Sequence, residues 1–472
     1  MKRILVIGAG PAGLTAGLEL LRRHPDYQVT ILEADCAVGG IAKTITVGDQ
    51  RIDIGGHRFF SKNQRVVQWW KEMLPDQLTT VRRFSNLMYD GKLIPYPVTL
   101  SVNTLSALGF TASCSVLGSY LKSHLNRREP LTLEDYYIKQ FGEDLYLRFF
   151  ASYTKKVWGR GADGISADWG AQRVKGVSIK EVMKNAVPFF KNSSEESLTD
   201  YFYYPKYGSG TMWEAAAKKI EEHGGRIILN DAVNHIFTEQ NRVRGVRTSS
   251  GKIYDADTVI SSMPLKKLLQ GMDPVPEDVM RAANALPYRN FVIVGLLIDN
   301  QELHRGLNQL QRDQWLYIQD ERVSLGRIQI FDNWSRDLNQ NEGCKWLGLE
   351  YFCSETDPEW NEEDQAWIKR VLNDLCTLRF VDKNVEIKNS IVVRQPQAYP
   401  GYWDGYERMT EIRSFLDHFE NLYCIGRNGQ HRYNNMDHAM ETALCAVQCL
   451  DGLGDKQALW YVNEAPEYHE RR

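Results

Sequence analysis

The feature that leaves this chain least freedom lies at its N-terminus. Gly8-x-Gly10-x-x-Gly13 follows the apolar run Ile4-Leu5-Val6-Ile7 and precedes leucines at helical spacing, Leu14, Leu18 and Leu21. Residues 28–33 then read as a second apolar strand ending on Glu33. Strand, glycine turn, helix and strand make one βαβ unit. A side chain at either of the first two glycines would block the turn or the approach of a pyrophosphate, and the third glycine lets helix and strand pack closely. The helix start offers free N–H groups and a positive dipole end to phosphate. Glu33, twenty residues after Gly13, stands where a carboxylate can accept both ribose hydroxyls. The pattern predicts a Rossmann-type dinucleotide mount.

Bulk properties narrow the rest. The 472 residues carry 57 basic and 60 acidic side chains, a balance that gives no basic field for nucleic acid. The length suits about three domain-sized units and a large core that needs no metal or disulfide. Eight cysteines include no CxxC pair, which argues against zinc and for reduced thiols in a cytoplasmic protein. The apolar run 4–7 is too short for a signal peptide. The apolar stretch 105–121 is broken by Gly and Ser and falls short of a membrane span, although association with a membrane surface stays open. No GxSxG occurs, so a hydrolase nucleophile elbow is excluded.

Further helices are expected over 131–150, 212–223 and 436–450, and strands over 225–229, 258–260 and 421–425. Runs at 291–294, 326–331 and 346–352 predict a separate antiparallel sheet. Residues 191–200 and the tail after Asp451 read as polar linkers.

Beyond Glu33, the glycine pair Gly39-Gly40 resembles the FAD-binding signature of the amine oxidase, desaturase and mutase superfamily. Gly426-Arg427, followed by a helix start at Met436, resembles that superfamily's C-terminal element, which implies an arginine near the pyrophosphate and a helix N-terminus toward the flavin. Narrower likenesses follow. Gly55-Gly56-His57-Arg58-Phe59-Phe60-Ser61 is similar to the histidine loop of UDP-galactopyranose mutases. So are Asn86-Leu87-Met88-Tyr89, Leu93-Ile94-Pro95-Tyr96-Pro97, Phe141-Gly142-Glu143-Asp144-Leu145-Tyr146 and Tyr153-Thr154-Lys155-Lys156-Val157-Trp158-Gly159-Arg160. The likeness runs in order through most of the chain.

The resemblance implies an α/β fold: a Rossmann-type FAD domain with a helical insertion and a β-rich substrate domain. Segments 1–79, 204–263 and 410–472 would build the FAD domain, 80–203 the helical cap, and 264–409 the β-rich layer. FAD, bound non-covalently, would contact Gly8, Gly10, Gly13, Glu33, Gly39, Gly40, Gly56, His57, Gly426, Arg427, Asn435 and Met436. Arg173 and Arg327 would clamp a nucleotide diphosphate through planar, permanently charged guanidiniums. Tyr406 and Tyr433 would add hydroxyls, and His57 would support the flavin. The implied reaction is pyranose/furanose isomerisation of a nucleotide sugar, with N5 of the reduced flavin as nucleophile at the anomeric carbon and NAD(P)H as reductant. A homodimer is compatible with this reading.

His431, where bacterial mutases carry an aromatic residue, and Asn434-Asn435 in place of a Tyr-Asp pair leave the sugar and nucleotide open. An oxidoreductase of the amine oxidase or protoporphyrinogen oxidase type is the alternative. The aromatic runs Tyr201-Phe202-Tyr203-Tyr204 and Tyr399-Pro400-Gly401-Tyr402-Trp403 could cage its substrate, stack on a base, or fill the core, the last being favoured. A non-catalytic flavin scaffold is a third reading.

Overall fold

The computed structural model describes residues 1–96, 108–125, 128–173, 201–304 and 312–464. Strand β1 (Arg3–Ile7) is buried after its first residue, as a central parallel strand must be. Helix α1 (Pro11–Arg23) returns over it to β2 (Gln28–Leu32). These two strands lie in a five-stranded parallel sheet in the order Leu422–Cys424, Thr258–Ser261, β1, β2, Arg226–Ile228. Three distant stretches of chain therefore supply one sheet.

The mount depends on missing side chains. Gly8 has φ +98°, and a Cβ there would lie 2.2 Å from Ser262 Oγ. A Cβ on Gly13 would lie 1.8 Å from the Gly8 carbonyl oxygen, so nothing larger than glycine lets α1 start so close to β1. The final helix, Met436–Leu450, packs beside α1. Trp70, Trp213 and Phe59 fill the space between outer helices, and Trp70 Nε1 donates to Met440 Sδ at 3.1 Å.

The second layer is a seven-stranded sheet in the order Ile387–Pro400, Tyr288–Asp299, Cys344–Cys353, Arg327–Ile330, Trp315–Ile318, Ser85–Tyr89, Lys92–Pro95. It is antiparallel except where Trp315–Ile318 runs parallel to Ser85–Tyr89. The expected sheet is present, but residues 85–95 belong to it and not to the helical insertion. Their alternation fits an edge hairpin, and their partner lies some 230 residues away in sequence, beyond the reach of local pattern.

The helix expected over 131–150 is interrupted. Leu133–Phe141 stops at Gly142 (φ +82°), where a Cβ would lie 2.7 Å from the Tyr120 backbone nitrogen. Glu143–Tyr146 follows, then a π-helical turn and Ser152–Trp158. The tail after Asp451 is not simply a linker. Lys456–Glu464 forms a 3₁₀ helix whose Leu459 and Trp460 are buried, with Trp460 Nε1 donating to Asp417 Oδ1 at 3.0 Å. The linker expected at 191–200 lies outside the described residues.

A buried carboxylate ties the segments together. Asp53 accepts from Tyr204 Oη and Thr44 Oγ1, each at 2.6 Å, and from the Ser209 amide at 3.2 Å. Removing one bond to a buried charge costs about 1.5–3 kcal/mol. Tyr204→Phe should lower the urea midpoint by that amount of stability with an unchanged slope, measured by equilibrium denaturation.

Candidate functional site

A cavity of about 490 Å³ runs between the two sheets. At one end lie Gly8, Gly10, Glu33, Ala34 and Asp35, and Gly40, Gly55, Gly56 and His57 line its course. Arg427, Tyr433, Asn435 and Met436 come from the last segment. Phe60, Trp315, Tyr317, Arg327, Gln329 and Tyr399 close the far wall.

The glycine floor is built by close approach. Gly39 (φ +102°) donates its amide to the Ala9 carbonyl at 2.8 Å, and a Cβ on Gly40 would stand 3.3 Å from Gly10 Cα. A Cβ on Gly10 meets no atom nearer than 3.8 Å, so the room beside it belongs to the cavity. Two helix starts, α1 and Met436–Leu450, face this floor and favour an anion there. Glu33 accepts the Ala9 amide at 2.5 Å and the Asp35 amide at 2.9 Å, which fixes its carboxylate at the cavity edge. These features fit an extended dinucleotide.

At the other end His57, half-buried, donates Nε2–H to the Ile54 carbonyl at 3.0 Å. Burial holds its pKa below the usual imidazole value; Asp53 opposes that shift and Arg427 adds to it. His57 is therefore neutral near pH 7. Arg427 donates to the Asn434 and Ala398 carbonyls at 2.9 and 3.0 Å, and its guanidinium lies 4.7 Å from the Tyr433 ring. Tyr433 in turn stacks on Tyr399 at 5.5 Å. Asn435 caps the final helix, and its backbone amide donates to His438 Nδ1 at 3.3 Å.

Across the cavity Arg327 pairs in register with Glu350 on the neighbouring strand. Its Nε donates to Glu350 Oε2, and Nη2 reaches Tyr399 Oη at 3.5 Å. Burial alone would lower the Arg327 pKa, but Glu350 holds it well above the ordinary value. Glu350 is fully buried and also accepts Gln329 Nε2 at 2.7 Å, while Gln329 Oε1 has no partner. Burial keeps Tyr153 and Tyr399 protonated as neutral donors.

The family model for flavin containing amine oxidoreductases matches residues 11–378. The chain belongs to that family. A flavin is thus the cofactor class for the cavity, and the protein is a flavoenzyme of this superfamily. Among curated relatives, the neurosporene-forming phytoene desaturase of Cereibacter sphaeroides is 25% identical over 289 residues, 55% of this chain and 52% of its own. The dTDP-fucopyranose mutase of Escherichia coli is 29% identical over 167 residues, 34% of this chain and 42% of its own. The chain thus spans about half the length of the curated relatives it matches. A crystal structure of reduced UDP-galactopyranose mutase shares the fold with a TM-score of 0.81, covering 98% of this chain and 99% of that one at 20% identity.

Within this flavoenzyme frame the expected site residues divide. The cavity lining includes Gly8, Gly10, Glu33, Gly40, Gly56, His57, Arg327, Gly426, Arg427, Tyr433, Asn435 and Met436. Gly13 and Gly39 act behind it, through packing. Tyr406 does not line it: it is buried against Tyr402 and lines a separate cavity with Arg413 and Asp168. The Arg173 side chain lies outside the described residues; its helix, Ala167–Arg173, carries Trp169, which meets the cavity residue Tyr433 edge-on at 6.4 Å. Of the aromatic runs, Tyr204 and Tyr402 are core as favoured, but Tyr399 is cavity wall.

Sequence reasoning missed Tyr317, Gln329, Glu350 and Lys156. Lys156 sits in the quoted Lys-Lys-Val-Trp motif, and its Nζ donates to the carbonyls of Ile318, Asp320 and Leu325 at 3.1, 2.6 and 3.2 Å. Burial pushes its ammonium down to about 8. It thereby clasps the loop joining the strands that deliver Tyr317 and Arg327. Lys156→Met should cost about 1.5–3 kcal/mol in thermal unfolding, with Lys156→Arg recovering part of the loss.

His431 is fully buried, donates Nε2–H to the Gly401 carbonyl at 2.9 Å and leaves Nδ1 unpartnered. Burial lowers its pKa to about 4. The unfolded chain would bind this proton near pH 6.5, so its contribution is intact above that pH and is lost as pH falls toward 4, by roughly 3 kcal/mol. His431→Asn, which tolerates the native φ of +48°, should flatten the fall of melting temperature between those pH values.

Proposed function

We propose that this flavoenzyme is an FAD-dependent nucleotide-sugar pyranose/furanose mutase, similar to UDP-galactopyranose mutases. One observation carries the reading: the wall opposite the glycine floor is cationic and rich in hydroxyls. Arg327 is set there by a buried carboxylate, with Tyr317, Tyr399 and Tyr433 around it and Gln329 Oε1 unsatisfied. Such a wall suits a diphosphate and sugar hydroxyls, and a carotenoid would leave its polar groups unpaired.

Gly8, Gly10, Gly13, Gly39 and Gly40 would admit the FAD pyrophosphate, Glu33 would hold the ribose, and His57, Arg427, Asn435 and Met436 would surround the ring end. Once reduced by NAD(P)H, bound FAD would supply a nucleophilic N5 for the anomeric carbon. The protein's own groups orient and neutralise. Arg327 and Arg173 hold the departing and returning diphosphate, Tyr433 and Tyr399 donate to its oxygens, and neutral His57 keeps one fixed hydrogen-bonding face toward the ring. Tyr399, not Tyr406, is the second hydroxyl of this set.

The test is to incubate the dithionite-reduced protein with UDP-, dTDP- and GDP-hexoses and follow furanose formation by NMR. Isomerisation without net use of reductant is the expected result. Steady acceptor reduction with a desaturation or porphyrinogen substrate, and no furanose product, would move the assignment to the oxidoreductase branch. Arg327→Lys keeps the charge that Glu350 needs but loses the planar fork, and should weaken nucleotide binding about tenfold with flavin content unchanged, by calorimetric titration.

A further inference from the structure

Helix Phe110–His124 packs through one face and leaves another uncovered. Val116, Tyr120 and Ser123 are buried, and the helix lies against Leu133–Phe141 and Glu143–Tyr146. Outward, Phe110, Cys114, Leu117, Leu121 and Leu125 recur every three or four residues, so they share one stripe. Phe110 is 84% exposed, Leu117 54%, Leu121 61% and Leu125 83%. With Leu131 and Leu147 on the neighbouring elements, these are half of the large apolar side chains exposed among the described residues. A soluble surface rarely gathers them so densely without a partner.

The charge around the stripe selects the partner. From residue 91 to residue 128 the sequence contains no Asp or Glu, but it contains Lys92, Lys122, Arg127 and Arg128. At the chain's average of 60 acidic residues in 472, such a stretch would hold roughly five. Just beyond it, Glu129 and Asp144 are paired with Lys139 and Arg148, and the remaining nearby carboxylates, Glu134, Asp135 and Glu143, sit on the two helices packed against this one and not on the stripe itself. A second copy docking through the same patch would meet its own cations with no carboxylate from this stretch to receive them. An anionic lipid surface accepts both features, apolar side chains below the headgroups and ammonium or guanidinium groups among them. The helix has 15 residues, roughly 22 Å, and no helix among the described residues is long and apolar enough to cross a membrane. Against a bilayer such a helix would lie in the interface and not span it.

We infer that helix Phe110–His124 is an interfacial docking element that seats this flavoenzyme on an anionic bilayer surface. The inference is independent of the reaction catalysed.

Flavin-loaded protein would be floated with phosphatidylglycerol–phosphatidylcholine vesicles and with phosphatidylcholine alone, at low and high salt. Binding to the anionic vesicles that weakens with salt is expected. Leu117→Glu with Leu121→Glu should lower partitioning about a hundredfold or more, with the flavin spectrum retained. Lys122→Glu and Arg128→Glu, which leave the apolar stripe intact, should each cost about fivefold on anionic vesicles. The inference is overturned if wild-type protein stays with the unbound fraction, or if the leucine variant binds as well as wild type. It is equally overturned if light scattering shows a dimer that the leucine variant abolishes while vesicles bind neither protein.

Discussion

Gly13 touches Gly8 across a gap with no room for a methyl group, and much of the molecule is arranged around that contact. It lets α1 begin directly above the end of β1, so the first helical amides face the cavity floor. Gly40 abuts Gly10 from the other side, and Gly426 repeats the theme, a Cβ there falling 2.9 Å from Ala12 Cβ. The floor is thus made almost wholly of backbone. A dinucleotide can be held closely there because amides and a helix dipole meet it, without intervening side chains.

The opposite wall follows another physical rule. Burying Glu350 and Arg327 together is costly in desolvation, and an apolar pair of similar volume would be at least as stable. The pair makes better sense as a positioning device: cross-strand register, a second bond from Gln329 and the Lys156 clasp restrain the guanidinium from several directions. Gln329 lines the cavity, and its Oε1 has no partner within the protein. Backbone on one side and fixed charge on the other give the cavity its division into a cofactor side and a substrate side.

Local pattern read well wherever the determining contacts were local. β1, α1 and β2, the strands at 226–228 and 258–261 and the final helix fall close to their expected bounds, because buried parallel strands and glycine turns leave marks at short range. The hairpin 85–95 escaped because its place depends on pairing with residues 315–318. Leu459 and Trp460 escaped because the short apolar run 458–462, in an otherwise polar tail, is too brief to show a period. Resemblance placed Tyr406 in the site, whereas the fold turns it toward Tyr402 and a different cavity.

By itself the sequence determined the dinucleotide mount: glycine spacing, a carboxylate at the end of the second strand and the absence of competing catalytic signatures need no tertiary information. It also held the likeness that led to His57, Arg327, Arg427 and Tyr433. Only the tertiary structure decided which groups share the cavity, since that depends on strand register. Arg327 meets Glu350 across neighbouring strands, and Tyr399, 72 residues further on, joins them because strand register aligns their faces. A one-residue slip would turn those side chains to the other side of the sheet, and nothing in the local sequence records that choice.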